Sequence, residues 1–378
     1  VAISIENNAA QFLAGVPEAV QTLPRYNAGL SIEYVRERYG LTNIAKLGSN
    51  ENPYGPSPRV REALRQAVDD VGLYPDPNCD PLRMLLAERL HIVPDQFIFG
   101  NGSEDLIAVA FRTFLAPGDR VVTFAPSFGL HVIDARSIGA EVTAVPINES
   151  YAMDIDQVIT ALQPAPRMLI FGNPSNPVGT SISADGFHRI LAALPRQTLL
   201  VFDEAYLEYA SADPTYPDFL TLLNESGVAW IILRTLSKAY GLAGLRIGYG
   251  IASTPELIEL MDRVRSPFNV NRLAQVAAVA ALQDMAYVKG VVQRTIAERA
   301  RVRAALEQLG FHPAPSLANF LFVRAKENAS ELAARLLTKG VIVKPWTEPA
   351  YSDHLRVSIG APHSNEQFLQ AWAELAGR

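Results

Sequence analysis

The sequence predicts an α/β fold: a large domain on a mostly parallel seven-stranded sheet, plus a smaller α+β domain. Two observations carry this. Seven short apolar runs lie between residues 97 and 250 and alternate with helical segments, the pattern of a sheet buried on both faces. After about residue 270 the pattern changes to a long alanine-rich helical stretch, then to a mixture of short strands and helices.

The elements follow in order. Residues 59–71 and 80–90 space apolar side chains three and four apart and read as helices. Residues 97–99 form a strand that runs into Gly100-Asn101-Gly102, and 103–115 a helix. Strand 121–124, helix 128–138 and strand 140–146 come next. Residues 168–171, 199–202, 230–233 and 247–250 complete the seven strands. Residues 273–309 read as one helical stretch linking the domains. Beyond it stand strand 319–323, helix 329–339, strand 341–343 and helix 365–376. The expected division is a large domain over 44–272 and a small domain formed by 273–378 with an N-terminal arm, 1–43.

Composition narrows the function. A net charge of −6 gives no electrostatic footprint for nucleic acid or an anionic membrane. No apolar run is long enough to span a bilayer, and residues 1–20 carry Glu6 and Glu18 without a basic start. Cys79 is the single cysteine, so no intrachain disulfide forms, which suits a reducing, cytoplasmic location. The sequence starts at Val1 rather than Met, so further residues are expected to precede it. No metal is expected.

The chemistry concentrates in three runs. Lys238 stands in Thr235-Leu236-Ser237-Lys238-Ala239-Tyr240-Gly241, with Arg246 eight positions on. Val201-Phe202-Asp203-Glu204-Ala205-Tyr206 ends an apolar run in a carboxylate, and Asn173-Pro174-Ser175-Asn176-Pro177-Val178-Gly179 precedes both. Taken singly, each has a plainer role: a solvated lysine, a helix N-cap, a proline turn. Together they supply an amine, an anion-binding cluster, a carboxylate and an asparagine, the parts that hold pyridoxal phosphate. The amine condenses with the cofactor aldehyde and later moves a proton, so its pKa should be lowered. Asp203 would face the pyridine nitrogen, Asn176 the ring hydroxyl, and Thr235, Ser237 and Arg246 the phosphate. Gly100-Asn101-Gly102 opening a helix suggests amides around Gly102, Ser103 and Glu104 as part of the phosphate cradle. A dinucleotide fingerprint would need a third glycine where Asp105 stands.

These runs resemble the fold-type-I pyridoxal-phosphate aminotransferases, and within them the histidinol-phosphate aminotransferase group. Leu47-Gly48-Ser49-Asn50-Glu51-Asn52-Pro53-Tyr54-Gly55-Pro56, Tyr74-Pro75-Asp76 and Leu355-Arg356-Val357-Ser358-Ile359-Gly360 carry the likeness further. It covers roughly residues 20 to 375.

The resemblance implies roles for further residues. Phe128 would stack on the cofactor, and Tyr206 would hydrogen-bond its ring oxygen and tune its electronics. Tyr54 would reach the cofactor phosphate of a partner chain, making a homodimer with shared active sites. Arg356 would hold the substrate α-carboxylate, with Tyr26 and Asn52 near the substrate. The family's phosphate-binding arginine, in a Val-Arg-Asp run, is replaced here by Lys344 in Val343-Lys344-Pro345-Trp346; the charge stays but the two-pronged fork is lost. The implied reaction is transamination between glutamate and 2-oxoglutarate on one side and an amino compound, histidinol phosphate foremost, on the other. An aromatic amino acid is the nearest rival substrate, and a related amino acid phosphate decarboxylase is the rival reaction. A sensor built on this fold would need a DNA-binding module for which the chain has neither room nor charge.

Overall fold

The structure, a computed structural model, describes residues 9–376; residues 1–8 of the expected arm, with Glu6, and residues 377–378 lie outside the described residues. In chain order the strands are β1 (Ala45–Lys46), β2 (Phe97–Gly100), β3 (Arg120–Ala125), β4 (Glu141–Pro146), β5 (Met168–Gly172), β6 (Leu199–Asp203), β7 (Trp230–Thr235) and β8 (Gly248–Ala252). They continue with β9 (Phe320–Arg324), β10 (Val341–Ile342), β11 (Lys344–Pro345) and β12 (His354–Ser358).

The large sheet has seven strands in the order β2-β8-β7-β6-β5-β3-β4. Neighbours from β7 through β4 pair in parallel, and β8 runs antiparallel to both β2 and β7. Successive residues face opposite sides, and both sides are buried. Leu200, Phe202 and Ile232 pack on one face with the helices over Pro58–Ala67, Asp80–Leu90 and Arg272–Leu282. Val201, Ile231 and Leu233 pack on the other, against helices Ser103–Phe114 and Pro255–Asp262. This double cover explains why the strands read as continuous apolar runs.

Among the helices that the periodicity did not single out, Ile155–Ala161, Ala184–Ala193, Phe219–Ser226 and Pro255–Asp262 fill connections. Three of them start at side-chain caps, with Asp154, Ser183 and Asp218 accepting from backbone amides of the first turn. The expected single helical stretch over 273–309 is broken into Arg272–Leu282 and Met285–Gln308. Gln283 and Asp284 interrupt it. The first piece packs wholly with the large sheet, while the second starts there at Val288 and Val292 and ends at Val302 and Leu306 in a second core.

That second core is built on the antiparallel sheet β11-β12-β9 and the parallel pair β1-β10. The expected strand 341–343 is divided at Val343 between two sheets. Against the expected boundaries at 44 and 272, Ala45 and Leu47 pack with the second core and Ala274–Leu282 with the first. No helix among the described residues is long and apolar enough to cross a membrane.

A buried polar belt ties the carboxyl ends of the parallel strands together. Arg234 on β7 places Nη2 2.7 Å and Nε 2.8 Å from one oxygen of Glu204, the residue after β6. The Tyr216 hydroxyl lies 3.5 Å from the other Glu204 oxygen, 3.1 Å from the Asn173 carbonyl and 3.0 Å from the Asn173 amide nitrogen. Burial pushes the Glu204 carboxyl upward and the Arg234 guanidinium opposes the shift. Removing one partner leaves a buried charge alone. Glu204→Ala is therefore expected to cost about 3–5 kcal/mol of unfolding free energy in urea; a loss below about 1 kcal/mol, the worth of an exposed pair, would show that the belt is not a buried ion pair in solution.

Candidate active site

The lysine loop follows β7. Its turn is closed by the Gly241 amide donating to the Lys238 carbonyl at 3.0 Å. Gly241 has φ +73°, and a Cβ there would lie 2.6 Å from the Gly55 carbonyl carbon, so only glycine lets the two loops meet. The Asn52 amide fastens them by donating to the Ala239 carbonyl at 2.9 Å. Asn52, expected near the substrate, thus uses its amide to anchor the lysine loop. Lys238 Nζ donates to the Ser49 carbonyl at 3.4 Å and stands 5.9 Å from the Tyr206 ring centre. Burial, then the Arg356 guanidinium, push its amine down to about 8.

Asp203 ends β6 and is buried. One oxygen accepts from the Ala205 amide at 3.1 Å, and the other lies 3.6 Å from Nε2 of His131. His131 is fully buried, and neither ring nitrogen has a hydrogen-bond partner. It sits in the first turn of the helix Gly129–Ser137, which Phe128 precedes, and meets the Phe128 ring edge-on at 5.7 Å. Phe128 also meets Tyr26 at 6.1 Å.

The anion cluster comes from three aligned strands. Gly100, Gly248 and Thr235 are register partners across β2, β8 and β7. This puts Gly102, at φ +87°, and the first amides of helix Ser103–Phe114 beside the start of the lysine loop. A Cβ on Gly102 would lie 2.7 Å from Arg246 Nη2, so the glycine admits the guanidinium. Gly102 provides no side-chain cap, which leaves the first-turn amides to an outside acceptor. The Thr235 hydroxyl lies 2.9 Å from that of Ser237 and accepts the Ser237 amide at 3.1 Å. Arg246 reaches the exposed Glu104 carboxylate at 3.4 Å, a long and half-solvated contact. Glu104 therefore contributes a side-chain charge as well as the expected amide.

Arg356 on β12 is buried without a carboxylate partner. Its Nη2 donates to the Gly48 carbonyl and its Nη1 to Oδ1 of Asn176, each at 2.6 Å, while Nε has no partner. Lys344 on β11 is its register partner across the antiparallel pair, so two cations stand opposite each other. Lys344 contacts the Asn27 carbonyl and lies 6.0 Å from the Tyr26 ring centre. Burial, then Arg356, push Lys344 down to about 8. Tyr54 faces elsewhere: its ring lies over the Arg294 guanidinium at 4.0 Å, and its carbonyl accepts from the Tyr287 hydroxyl at 3.0 Å.

Two groupings escaped the sequence reading. His131 carried no motif. Asn50 and Ser358 were quoted without roles, yet Asn50 joins Ser358 to the Tyr206 hydroxyl through bonds of 2.8 and 2.9 Å. A cleft of about 320 Å³ lined by Lys46, Glu51, Asn52, Ser237, Gly244 and Ser358 opens beside Ser358.

Pyridoxal phosphate fits these residues. The first-turn amides and Arg246 suit a phosphate, the buried Asp203 suits a protonated pyridine nitrogen, and the amine of Lys238 is poised to lose its proton. The unpartnered Nε of Arg356 suits a carboxylate taken from solution.

The chain belongs to the family of class I and II aminotransferases, whose family model matches residues 42–375. Among the proteins it is similar to, "Histidinol-phosphate aminotransferase 1" of Mesorhizobium japonicum is 49% identical over 93% of this chain and 95% of its own. "Histidinol-phosphate aminotransferase 3" of Rhizobium meliloti is 45% identical over 95% and 97%. The solved histidinol-phosphate aminotransferase from Sinorhizobium meliloti, in complex with pyridoxal-5'-phosphate, superposes with a TM-score of 0.87 at 30% identity, over 95% of this chain and 97% of that one. The fold class is thus that of the fold-type-I aminotransferases.

The lowered Lys238 pKa has a consequence for stability without cofactor. An unfolded lysine keeps its proton up to about 10.5, whereas the folded one releases it at about 8. Between those values the unfolded chain binds more protons, so the Lys238 penalty is full below about 8 and fades as pH rises through the window. Lys238→Met is expected to be more stabilising at about pH 7 than at about pH 10, measured by urea unfolding of the cofactor-free protein. An equal effect at both values would contradict the lowered pKa.

Proposed function

We propose that this chain is a pyridoxal-phosphate-dependent transaminase that exchanges an amino group between glutamate/2-oxoglutarate and histidinol phosphate, a step of histidine biosynthesis. The observation that carries the reading is the Lys238 side chain, which donates to the Ser49 carbonyl and lies over the Tyr206 ring, within reach of the charges of Asp203 and Arg356. The names of the similar proteins support the substrate. When bound, pyridoxal phosphate supplies an electron-withdrawing ring that accepts the charge left by a departing α-proton.

The chain's own residues do the rest. Lys238 Nζ takes and returns that proton, its lowered pKa making it an effective base near neutrality. Asp203 keeps the ring nitrogen protonated, with one oxygen held by the Ala205 amide and the other 3.6 Å from buried His131. Tyr206 and Asn176 address the ring oxygen, and Phe128 covers the ring. Gly102, Ser103, Glu104, Thr235, Ser237 and Arg246 cradle the phosphate. Arg356 exchanges its bonds to Gly48 and Asn176 for the substrate carboxylate, and Lys344 with Tyr26 receives the phosphate at the far end of the substrate.

We propose further that Tyr54 completes the site of a second subunit, so that the enzyme is a cytoplasmic homodimer with shared sites. Tyr54 is directed at Arg294 rather than at Lys238, and the exposed apolar groups Val68, Val71, Leu73, Tyr74 and Phe268 offer a face for a second copy. The division into a cofactor-binding domain and a small domain with its arm is part of the same proposal, with the boundaries moved off 44 and 272 by the packing of Ala45, Leu47 and Ala274–Leu282.

Tests follow from the two cations. With purified enzyme and 2-oxoglutarate, histidinol phosphate is expected to surpass both histidinol and phenylalanine as amino donor. Arg356→Lys should lower kcat/KM for every donor, glutamate included. Lys344→Ala should weaken histidinol phosphate alone, by about 1.5–3 kcal/mol. Preference for phenylalanine would replace the substrate with an aromatic amino acid, and carbon dioxide release without an acceptor would replace the reaction with decarboxylation. For the dimer, mixing Tyr54→Phe with Lys238→Ala protein should restore activity beyond that of the Tyr54→Phe subunits alone; a fully active monomer in sedimentation would contradict shared sites.

A further inference from the structure

We infer that Asn50, locked by Ser358, is a positioning residue that turns the Tyr206 hydroxyl proton toward the cofactor ring oxygen, an inference that rests on the pyridoxal-phosphate reading above. Asn50 is 1% exposed, has φ +54°, and follows Ser49, whose carbonyl accepts from Lys238. Its own carbonyl accepts from the Asn319 amide at 3.0 Å. Both the side chain and the backbone of Asn50 are therefore held.

The direction of each bond can be worked out from the chemistry of the groups. The Asn50 backbone N–H can only donate, and it donates to Ser358 Oγ at 2.8 Å. Ser358 thus spends a lone pair there and keeps its own proton for Oδ1 of Asn50, also at 2.8 Å. This fixes which end of the amide is oxygen. The reverse orientation would aim a second donor at Ser358 and strand the serine proton in a buried place. The other end, Nδ2, then donates to the Tyr206 hydroxyl at 2.9 Å. An amide N–H cannot accept, so the Tyr206 proton must be given elsewhere. Burial pushes the Tyr206 hydroxyl up to about 12, so the proton is present at neutral pH.

Ser358 stands two residues beyond Arg356 on β12, on the same face of the strand. The strand that would grip the substrate carboxylate is therefore bonded, through one asparagine, to the hydroxyl that would tune the ring. Asn50 would touch neither substrate nor ring. It acts by denying Tyr206 an alternative acceptor.

The test uses the full-length enzyme loaded with pyridoxal phosphate and follows the pH midpoint of its visible absorbance change. A hydrogen bond donated to the ring oxygen stabilises its deprotonated form, so loss of the donor raises the midpoint. Tyr206→Phe sets the full rise. Ser358→Ala is expected to give at least half of that rise, and no further rise when combined with Tyr206→Phe. Ser358→Thr, which keeps the hydroxyl, should restore the wild-type midpoint. Asn50→Asp, which removes the amide donor and offers Tyr206 an acceptor, should raise the midpoint more in the wild-type than in the Tyr206→Phe background. A Ser358→Ala shift equal in both backgrounds, or no shift in either, overturns the inference in favour of general packing. A protein that gains no visible band with excess pyridoxal phosphate overturns the cofactor reading, and this inference with it.

Discussion

The site depends on keeping one buried amine away from the acids that stand beside it in the fold. Asp203 and Glu51 are the carboxylates whose charge reaches Lys238, and either could have paired with it. Neither is free to do so. Asp203 is engaged by the Ala205 amide and faces His131, and Glu51 pairs with Lys46 at 2.7 Å. Lys238 is left with a weak bond to a carbonyl, the Tyr206 ring and the field of Arg356, and its amine falls to about 8.

The same strand ends supply the rest of the geometry. Parallel pairing from β7 to β4 brings Asp203, Thr235 and the Asn173–Asn176 turn to one edge of the sheet, where open α/β sheets bind ligands. The reversed strand β8 joins β2 to β7 and carries the glycine that lets helix Ser103–Phe114 approach the lysine loop. The second core contributes the opposite wall through β11 and β12, whose register sets Lys344 against Arg356. The long helix Met285–Gln308 has side chains in both cores, so the two walls share one rigid element.

Much of this was legible in the sequence because it is local. The lysine run, the carboxylate at the end of β6 and the glycines before Ser103 each declare themselves within a few residues, through side-chain chemistry that has few other uses in that combination. Strands buried on both faces were legible for the same reason, since a continuous apolar run needs no knowledge of its partners. His131 was not, because nothing in Leu130-His131-Val132 distinguishes a buried histidine over Asp203 from one packed elsewhere. Asn50 and Ser358 are far apart in the chain, and their bond exists only once the second core has formed, while the bond to Tyr206 needs the first core as well. The break at Gln283 and Asp284 was hidden by alanine, whose helix propensity continues through a corner that tertiary packing imposes. The split of the strand at Val343 likewise depends on which sheet each neighbour finds.

The central claim, that Lys238 is the amine placed to hold the cofactor, is tested most directly by reducing the pyridoxal-phosphate-loaded protein with borohydride and mapping the labelled peptide by mass spectrometry. The expected result is a single modified lysine at Lys238. A label on Lys344, Lys46 or any other lysine would contradict it.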